Sequence, residues 1–213
     1  MALTRTHNVR VDFSSASALL ARNFNQLWCA ALNSRERERC SLFAMHHADI
    51  GAEPFWLDKL IVERERVGAD ILSVVIPIKD ERGLTSTGYQ CKKTHNVWRF
   101  TMREIMEFPV TFDAAAVGKG EYFLAVNTGL MVCDFSKPWV EEFHFEVRDR
   151  IRRDEAGKFK VATMPEDWSL SAWAQMRGLK VMATRCVGIT HHGRASFPND
   201  QAWGEWETEK GSD

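Results

Sequence analysis

Apolar residues along the first 80 positions fall into alternating helical and strand patterns. Residues 8–12 (Asn-Val-Arg-Val-Asp) read as a short strand, and Ser14 or Ser15 can cap a following helix. Leu20, Phe24, Leu27 and Ala31 recur at helical spacing through Asn33. The charged run from Ser34 to Arg39 reads as a solvated helix end or loop. Residues 40–45 read as a buried strand that leads into His46-His47-Ala48-Asp49. Pro54 stands at a good first helical position, and Phe55 to Val67 forms a predicted helix closed by Gly68. The β-branched run 71–78 reads as a central strand ending at Pro77. Strand, helix, strand, helix, strand in that order predicts an α/β fold, with a mostly parallel central sheet flanked by helices.

Further along, the pattern thins. Residues 79–96 are rich in Gly, Thr and charge and read as an irregular excursion near the site. Short strands are expected at 97–101 and 110–113, and again at 122–126 and 130–133, which flank the turn-like Asn127-Thr128-Gly129. Pro138 starts a short helix, and 143–147 pairs with 158–161 across the charged turn 152–157 as a small antiparallel portion. Pro165 introduces a strong helix, Glu166 to Arg177, closed by Gly178. A strand at 181–184 follows, then a second doublet, His191-His192. The tail after Pro198, with Trp203 and Trp206, reads as irregular. No repeat or clear linker divides the chain, so 1–213 is expected to be a single domain.

Composition narrows the picture without changing it. Apolar content of 45% and charged content of 27% are those of an ordinary globular protein. A net charge of −1 gives no electrostatic argument for nucleic acid or an anionic membrane. No apolar run approaches the roughly 18 residues of a membrane span. The first seven residues lack the apolar stretch of a signal peptide. Five scattered cysteines without a Cys-x-x-Cys pair read as reduced thiols, which suits a cytoplasmic protein. Most of the eight tryptophans are expected in the core. Nothing in the sequence speaks to oligomeric state.

The chemistry concentrates in three places. Four of the seven histidines sit in the two doublets, each expected to end a buried strand. Side chains at the C-terminal ends of parallel strands converge on the crevice where open α/β sheets bind ligands. Imidazole and carboxylate hold divalent cations, so His47, Asp49 and one or both of His191 and His192 are candidate metal ligands. His46, one residue off in strand alternation, is expected to point away. Glu166-Asp167 opens a helix. There, acids complement the helix dipole, and a carboxylate is also well placed to act as a general base.

In order and wording these segments resemble the inverting glycosyltransferases of the GT-A fold, close to the large family 2 group, over roughly residues 15–197. His47-Ala48-Asp49 resembles the family's Asp-x-Asp motif, which holds Mn²⁺ or Mg²⁺ against the pyrophosphate of a nucleotide-sugar. Asn127-Thr128-Gly129 resembles the Asn-x-Gly segment beside the sugar, and Glu166-Asp167-Trp168 resembles the motif whose Asp is the catalytic base. Thr190-His191-His192-Gly193 is similar to the segment that supplies a third metal ligand, and Ala21-Arg22-Asn23 to an Arg-Asn pair near the donor. Two departures stand out. Asp-x-Asp has become His-x-Asp, which leaves Zn²⁺ open beside Mn²⁺ and Mg²⁺. The family's usual first strand and helix also have no visible counterpart.

The resemblance implies transfer of a sugar from a UDP- or GDP-sugar to an unknown acceptor hydroxyl. Asp167 would serve as base and Glu166 would orient the acceptor or its partner Asp. Arg22, Asn23, Ala48, Asp49, Asn127 and Gly129 would line the donor, and Trp168 would face the acceptor. Two other readings remain open from the residues: a degenerate transferase that only binds nucleotide or sugar, and a metal-dependent hydrolase.

Overall fold

A computed structural model describes residues 2–13, 19–92, 96–154, 156–193 and 196–208. Ser14 and Ser15, the expected helix caps, lie outside the described residues. In chain order the elements begin with α1 (Leu20–Glu38), β1 (Leu42–His46), β2 (Ile50–Ala52), α2 (Trp56–Val67), β3 (Ile71–Val74) and β4 (Leu84–Gln90). Next come β5 (Val97–Thr101), α3 (Met102–Glu107), β6 (Thr111–Phe112), β7 (Phe123–Ala125), β8 (Leu130–Asp134) and a 3₁₀ turn at Pro138–Glu141. The chain continues through β9 (Arg148–Arg153), β10 (Phe159–Met164), α4 (Glu166–Met176), β11 (Val181–Thr184), β12 (Ile189–His192) and β13 (Ser196–Pro198).

The expected mostly parallel central sheet is not what forms. The largest sheet runs β1-β8-β3-β11-β6, and only its β3–β11 pairing is parallel. The other eight strands make three small antiparallel sheets, β10-β9, β13-β12-β2 and β5-β4-β7. The cause of the difference is β8. It inserts between β1 and β3, antiparallel to both, with Cys133 opposite Phe43 on one side and Ile71 on the other. Leu130, Met131, Val132 and Cys133 are all fully buried, as a strand covered on both faces requires. Periodicity identifies such a run as a strand but does not say which strands it separates.

One consequence of the expected arrangement survives. β1 and β3 are each antiparallel to β8, and β11 is parallel to β3, so all three point the same way. Their C-terminal ends share one sheet edge with the N-terminal end of β8. The Arg177–Lys180 turn reverses the chain between α4 and β11, which brings the N-terminus of α4 to the same edge.

Two apolar clusters cover the two faces. On one, Trp56, Leu57, Leu60 and Ile61 of α2 cluster with Leu72, Val74, Leu130 and Val132. On the other, Phe24 and Trp28 of α1 and Leu170 and Ala174 of α4 cluster with Ile71, Met131, Cys133, Val181 and Ala183. Trp28 centres this second cluster, with ring contacts to Phe43, Phe135, Trp139, Phe143 and Phe145. Its indole N–H donates to the Val140 carbonyl at 2.8 Å, so no polar atom of the ring is lost to burial.

Several local expectations need correction. Residues 8–12 form no strand. The charged run continues α1 to Glu38, and Arg39 closes it in the left-handed region (φ 53°). The supposed excursion 79–96 contains β4, a seven-residue strand. The antiparallel ribbon is shifted along the chain, pairing Arg148–Arg153 with Phe159–Met164. His191-His192 belongs to β12 rather than to the end of β11.

Candidate functional site

The first doublet ends β1. His46 is the last strand residue and pairs with Leu130, while His47 follows it and donates its backbone N–H to the Gly129 carbonyl at 2.7 Å. Asn127 fixes that carbonyl. Its Oδ1 accepts from the Gly129 N–H at 2.9 Å, its Nδ2 donates to the Val74 carbonyl at 3.0 Å, and the Ser73 hydroxyl donates to its backbone carbonyl at 2.8 Å. The Asn127 amide therefore ties the end of β3 to the start of β8. At Gly129 a Cβ would stand 2.6 Å from Ile76 Cδ1 and 2.7 Å from Ile50 Cδ1, so a larger residue there would have to push those two side-chain ends aside.

His47, Asp49 and His191 come together at this edge. Ala48 and Asp49 form a turn closed by the Ile50 N–H on the His47 carbonyl (3.1 Å), and Ala48 is exposed. His191 reaches the cluster because β12 pairs with β2, with His191 opposite Ile50. Its Nε2 lies 3.4 Å from Asp49 Oδ2, and its Nδ1 lies 2.7 Å from the Pro77 carbonyl. A carbonyl only accepts, so Nδ1 carries a proton, and Nε2 faces the carboxylate. Asp49 is also bonded to Lys79. Burial pushes the Asp49 carboxyl up. The Lys79 hydrogen bond and the charges of His191 and Lys79 outweigh that and hold it below its ordinary value. His47 packs its ring 5.0 Å from that of Phe24 on α1. Burial lowers its pKa to about 4, so the ring is neutral near pH 7, and its buried Nε2 has no hydrogen-bond partner.

The other two doublet histidines turn elsewhere. His46 sets its Nε2 2.7 Å from the Ile50 carbonyl and its ring edge-on to Trp56. His192 alternates to the opposite side of β12, where its ring lies across Gly51 and its Nδ1 is 3.4 Å from the Ser196 hydroxyl. Only its backbone serves the cluster, donating N–H to the Asp49 carbonyl at 2.8 Å.

The acidic pair opens α4 at the same edge. Asp167 is half-buried and accepts from the Trp168 backbone N–H at 2.7 Å. Desolvation, and after it the charge of Glu166, push its carboxyl up to about 7 against the pull of that N–H and of Arg99. Trp168 donates its indole N–H to the Ser86 carbonyl (3.2 Å) and carries the Arg99 guanidinium 4.4 Å over its ring. Ser86 donates its N–H to the Ile76 carbonyl, one residue before the Pro77 that holds His191. Hydrogen bonds and intervening backbone thus connect Trp168, beside the acidic pair, to the strand end that holds His191.

Arg22 and Asn23 stand apart. Arg22 is exposed and lines an open groove of about 480 Å³ with Leu19, Leu20, Asn25, Cys29 and Val147, none of them in the cluster. Asn23 is buried on α1 beside Phe24. Sequence reasoning missed Lys79 and Arg99. Lys79 had one signal, its place two residues after the strand-ending Pro77; Arg99 had none.

The side-chain types are ones that can ligate a divalent cation: the Asp49 carboxylate, the His191 imidazole beside it, and the neutral His47 imidazole with an unpartnered buried nitrogen. Among the described residues no three such side chains are already grouped around one point, and Lys79 occupies the carboxylate. Also among the described residues, no helix is long and apolar enough to cross a membrane. No protein-family profile and no curated protein sequence matches the chain.

Proposed function

We propose that this chain is a nucleotide-sugar-dependent glycosyltransferase acting with inversion, and that Asp167 is its general base. The observation that carries the reading is the Asp167 carboxyl, held near 7 by desolvation and Glu166 at the edge where His47, Asp49 and His191 meet. A base with a pKa near the working pH combines a useful ionised fraction with real proton affinity. Asp167 accepts the proton of an acceptor hydroxyl as that oxygen attacks the anomeric carbon. Glu166 keeps Asp167 basic. Trp168, pinned by Ser86 and Arg99, gives one wall to the acceptor side.

The donor end belongs to the other cluster. Asp49, His191 and His47 are the residues that would hold a divalent cation, and such an ion would supply positive charge to a nucleoside diphosphate leaving group. Asn127 and Gly129 fix the backbone that carries His47. The order of the short motifs along the chain supports the same reading, since it follows that of family 2 transferases.

Turnover of a panel of UDP- and GDP-sugars, read as release of nucleoside diphosphate with and without Mn²⁺, is the direct test. Asp167→Asn is expected to keep the thermal midpoint and lower transfer by about 10²-fold or more. Transfer by that variant near the wild-type rate removes Asp167 from the mechanism, and a wild-type protein that turns over no donor removes the transferase reading itself.

A further inference from the structure

The β9–β10 ribbon takes no part in the site, and its two faces differ in chemistry. Residues directly opposite each other on paired strands share a face. Arg148 stands opposite Met164, Arg150 opposite Ala162 and Arg152 opposite Lys160, which puts four cations on one face. Asp149 stands opposite Thr163, Ile151 opposite Val161 and Arg153 opposite Phe159 on the other. The basic face leans on the body of the protein: Ala162 and Met164 are half-buried, and Arg152 Nη1 donates to Asn96 Oδ1 at 2.9 Å. The apolar face looks outward. Ile151, Val161 and Phe159 (68% exposed) make one contiguous patch, with the Arg153 guanidinium 4.0 Å over the Phe159 ring. Val147, at the root of the ribbon, is exposed too and lines the open groove with Leu19 and Leu20. Charge gathers in the same place. Residues 148–160 carry six cations against three acids, in a chain whose net charge is −1.

We propose that this ribbon docks the protein on the surface of a bilayer that contains anionic lipids. Ile151, Val161 and Phe159 enter the boundary between headgroups and acyl chains, and Arg148, Arg150, Arg152 and Lys160 snorkel round the ribbon to the lipid phosphates. Arg148 now pairs with Glu146 and Lys160 with Asp154, surface ion pairs of little net worth that phosphate oxygens can replace. An apolar face and a basic face on one element form the pattern of an interfacial segment, in which two weak signals add up to firm attachment. The same two faces argue against other occupants. A nucleic acid would use the cations and leave the apolar patch in water. A second copy would bring a ribbon of like charge against this one. A two-stranded ribbon is marginal by itself in water, and a bilayer covers the side that the protein leaves bare. Docking of this kind does not depend on the transferase reading.

Co-flotation of the full chain with vesicles tests it, with phosphatidylcholine alone and with phosphatidylglycerol added at about one lipid in three. Wild type is expected to bind the mixed vesicles at least about tenfold more tightly than the neutral ones. The combined substitution Ile151→Ser, Phe159→Ser and Val161→Ser, which leaves the net charge alone, is expected to weaken that binding about tenfold or more and to keep the urea midpoint. Arg148→Ser with Arg150→Ser and Lys160→Ser is expected to weaken binding to mixed vesicles about tenfold and to leave neutral vesicles unaffected. A wild-type protein that floats with neither vesicle overturns the proposal. Apolar substitutions that change nothing overturn insertion, and equal binding to both vesicles overturns the part of the basic face. Binding of duplex DNA without flotation, or a dimer in sedimentation velocity that the apolar substitutions dissolve, gives the ribbon another occupant and overturns the proposal as well.

Discussion

At the scale of single residues, environment separates side chains of the same type. His47 and His191 join Asp49, while His46 and His192, their immediate neighbours, face a backbone carbonyl and Gly51. Strand alternation accounts for both splits, and for His46 the sequence already carried the reason. Lys79 was not legible, because an ion pair spanning 30 positions leaves no local pattern. Asn127 was legible as a position beside the site. That its amide is spent on Gly129 and Val74 depends on β8 lying next to β3, which no local pattern encodes. The two carboxyls at the start of α4 yield a pH prediction. Transfer should fall as pH drops through about 7, because protonated Asp167 cannot accept the acceptor's proton. Glu166→Gln removes a charge that raises Asp167, so the acid limb of the pH–rate profile should move to lower pH. An unmoved limb would mean that Glu166 does not tune the base.

At the scale of elements, α2 and α4 were readable, while α3 and the strand partners were not. α2 and α4 fall within a residue of their expected bounds, because apolar spacing and a following glycine mark a helix locally: Gly68 and Gly178 both sit at positive φ. β4 was missed because Leu-Thr-Ser-Thr-Gly-Tyr-Gln has no two-residue alternation of apolar and polar side chains. It is nearly all buried, between β5 and β7 on its two edges. The β9–β10 ribbon is the reverse case. Ile151 and Val161 pair across it yet remain 79% and 64% exposed, so the ribbon adds little to the core. The double substitution Ile151→Lys with Val161→Glu is expected to shift the unfolding free energy by no more than about 0.5 kcal/mol, since it exchanges one exposed cross-strand pair for another. Urea denaturation measures this; a loss above about 2 kcal/mol would show that the ribbon is integral to the fold.

At the scale of the whole molecule, the site edge is held together by the last part of the chain. Asn199 is 1% exposed. Its Oδ1 accepts from the Ile189 N–H at 3.0 Å, and its Nδ2 donates to the carbonyls of Val75 (3.1 Å) and Val187 (3.3 Å). One amide thus joins β12, the end of β3 and the turn after β11. Beyond it, Glu205 and Trp206 donate backbone N–H groups to the carbonyls of Glu81 and Arg82 in the loop that carries Lys79, and the Thr101 hydroxyl donates to Glu207. The tail was expected to be irregular, and its described residues do lack regular structure after β13, but they brace that loop. Asn199→Ala leaves a buried N–H and two carbonyls short of a partner and is expected to cost about 2–4 kcal/mol, read from a chemical denaturation curve. A loss below about 1 kcal/mol would mean that water replaces the amide.

That brace sets an order of events during synthesis. The histidine cluster draws on residue 47 and residue 191, and the loop between them that carries Lys79 is braced by residues past 199 as well as by its own Ile78–Leu84 hydrogen bond. A nascent chain on the ribosome cannot close α1, β1 and α2 as they emerge, since Trp28 packs on Phe135 and Phe145, β1 pairs with β8, and α2 clusters with Leu130 and Val132. It has no complete site until the final strands have left the exit tunnel. The site therefore cannot act on a ligand before the residues past 199 have emerged.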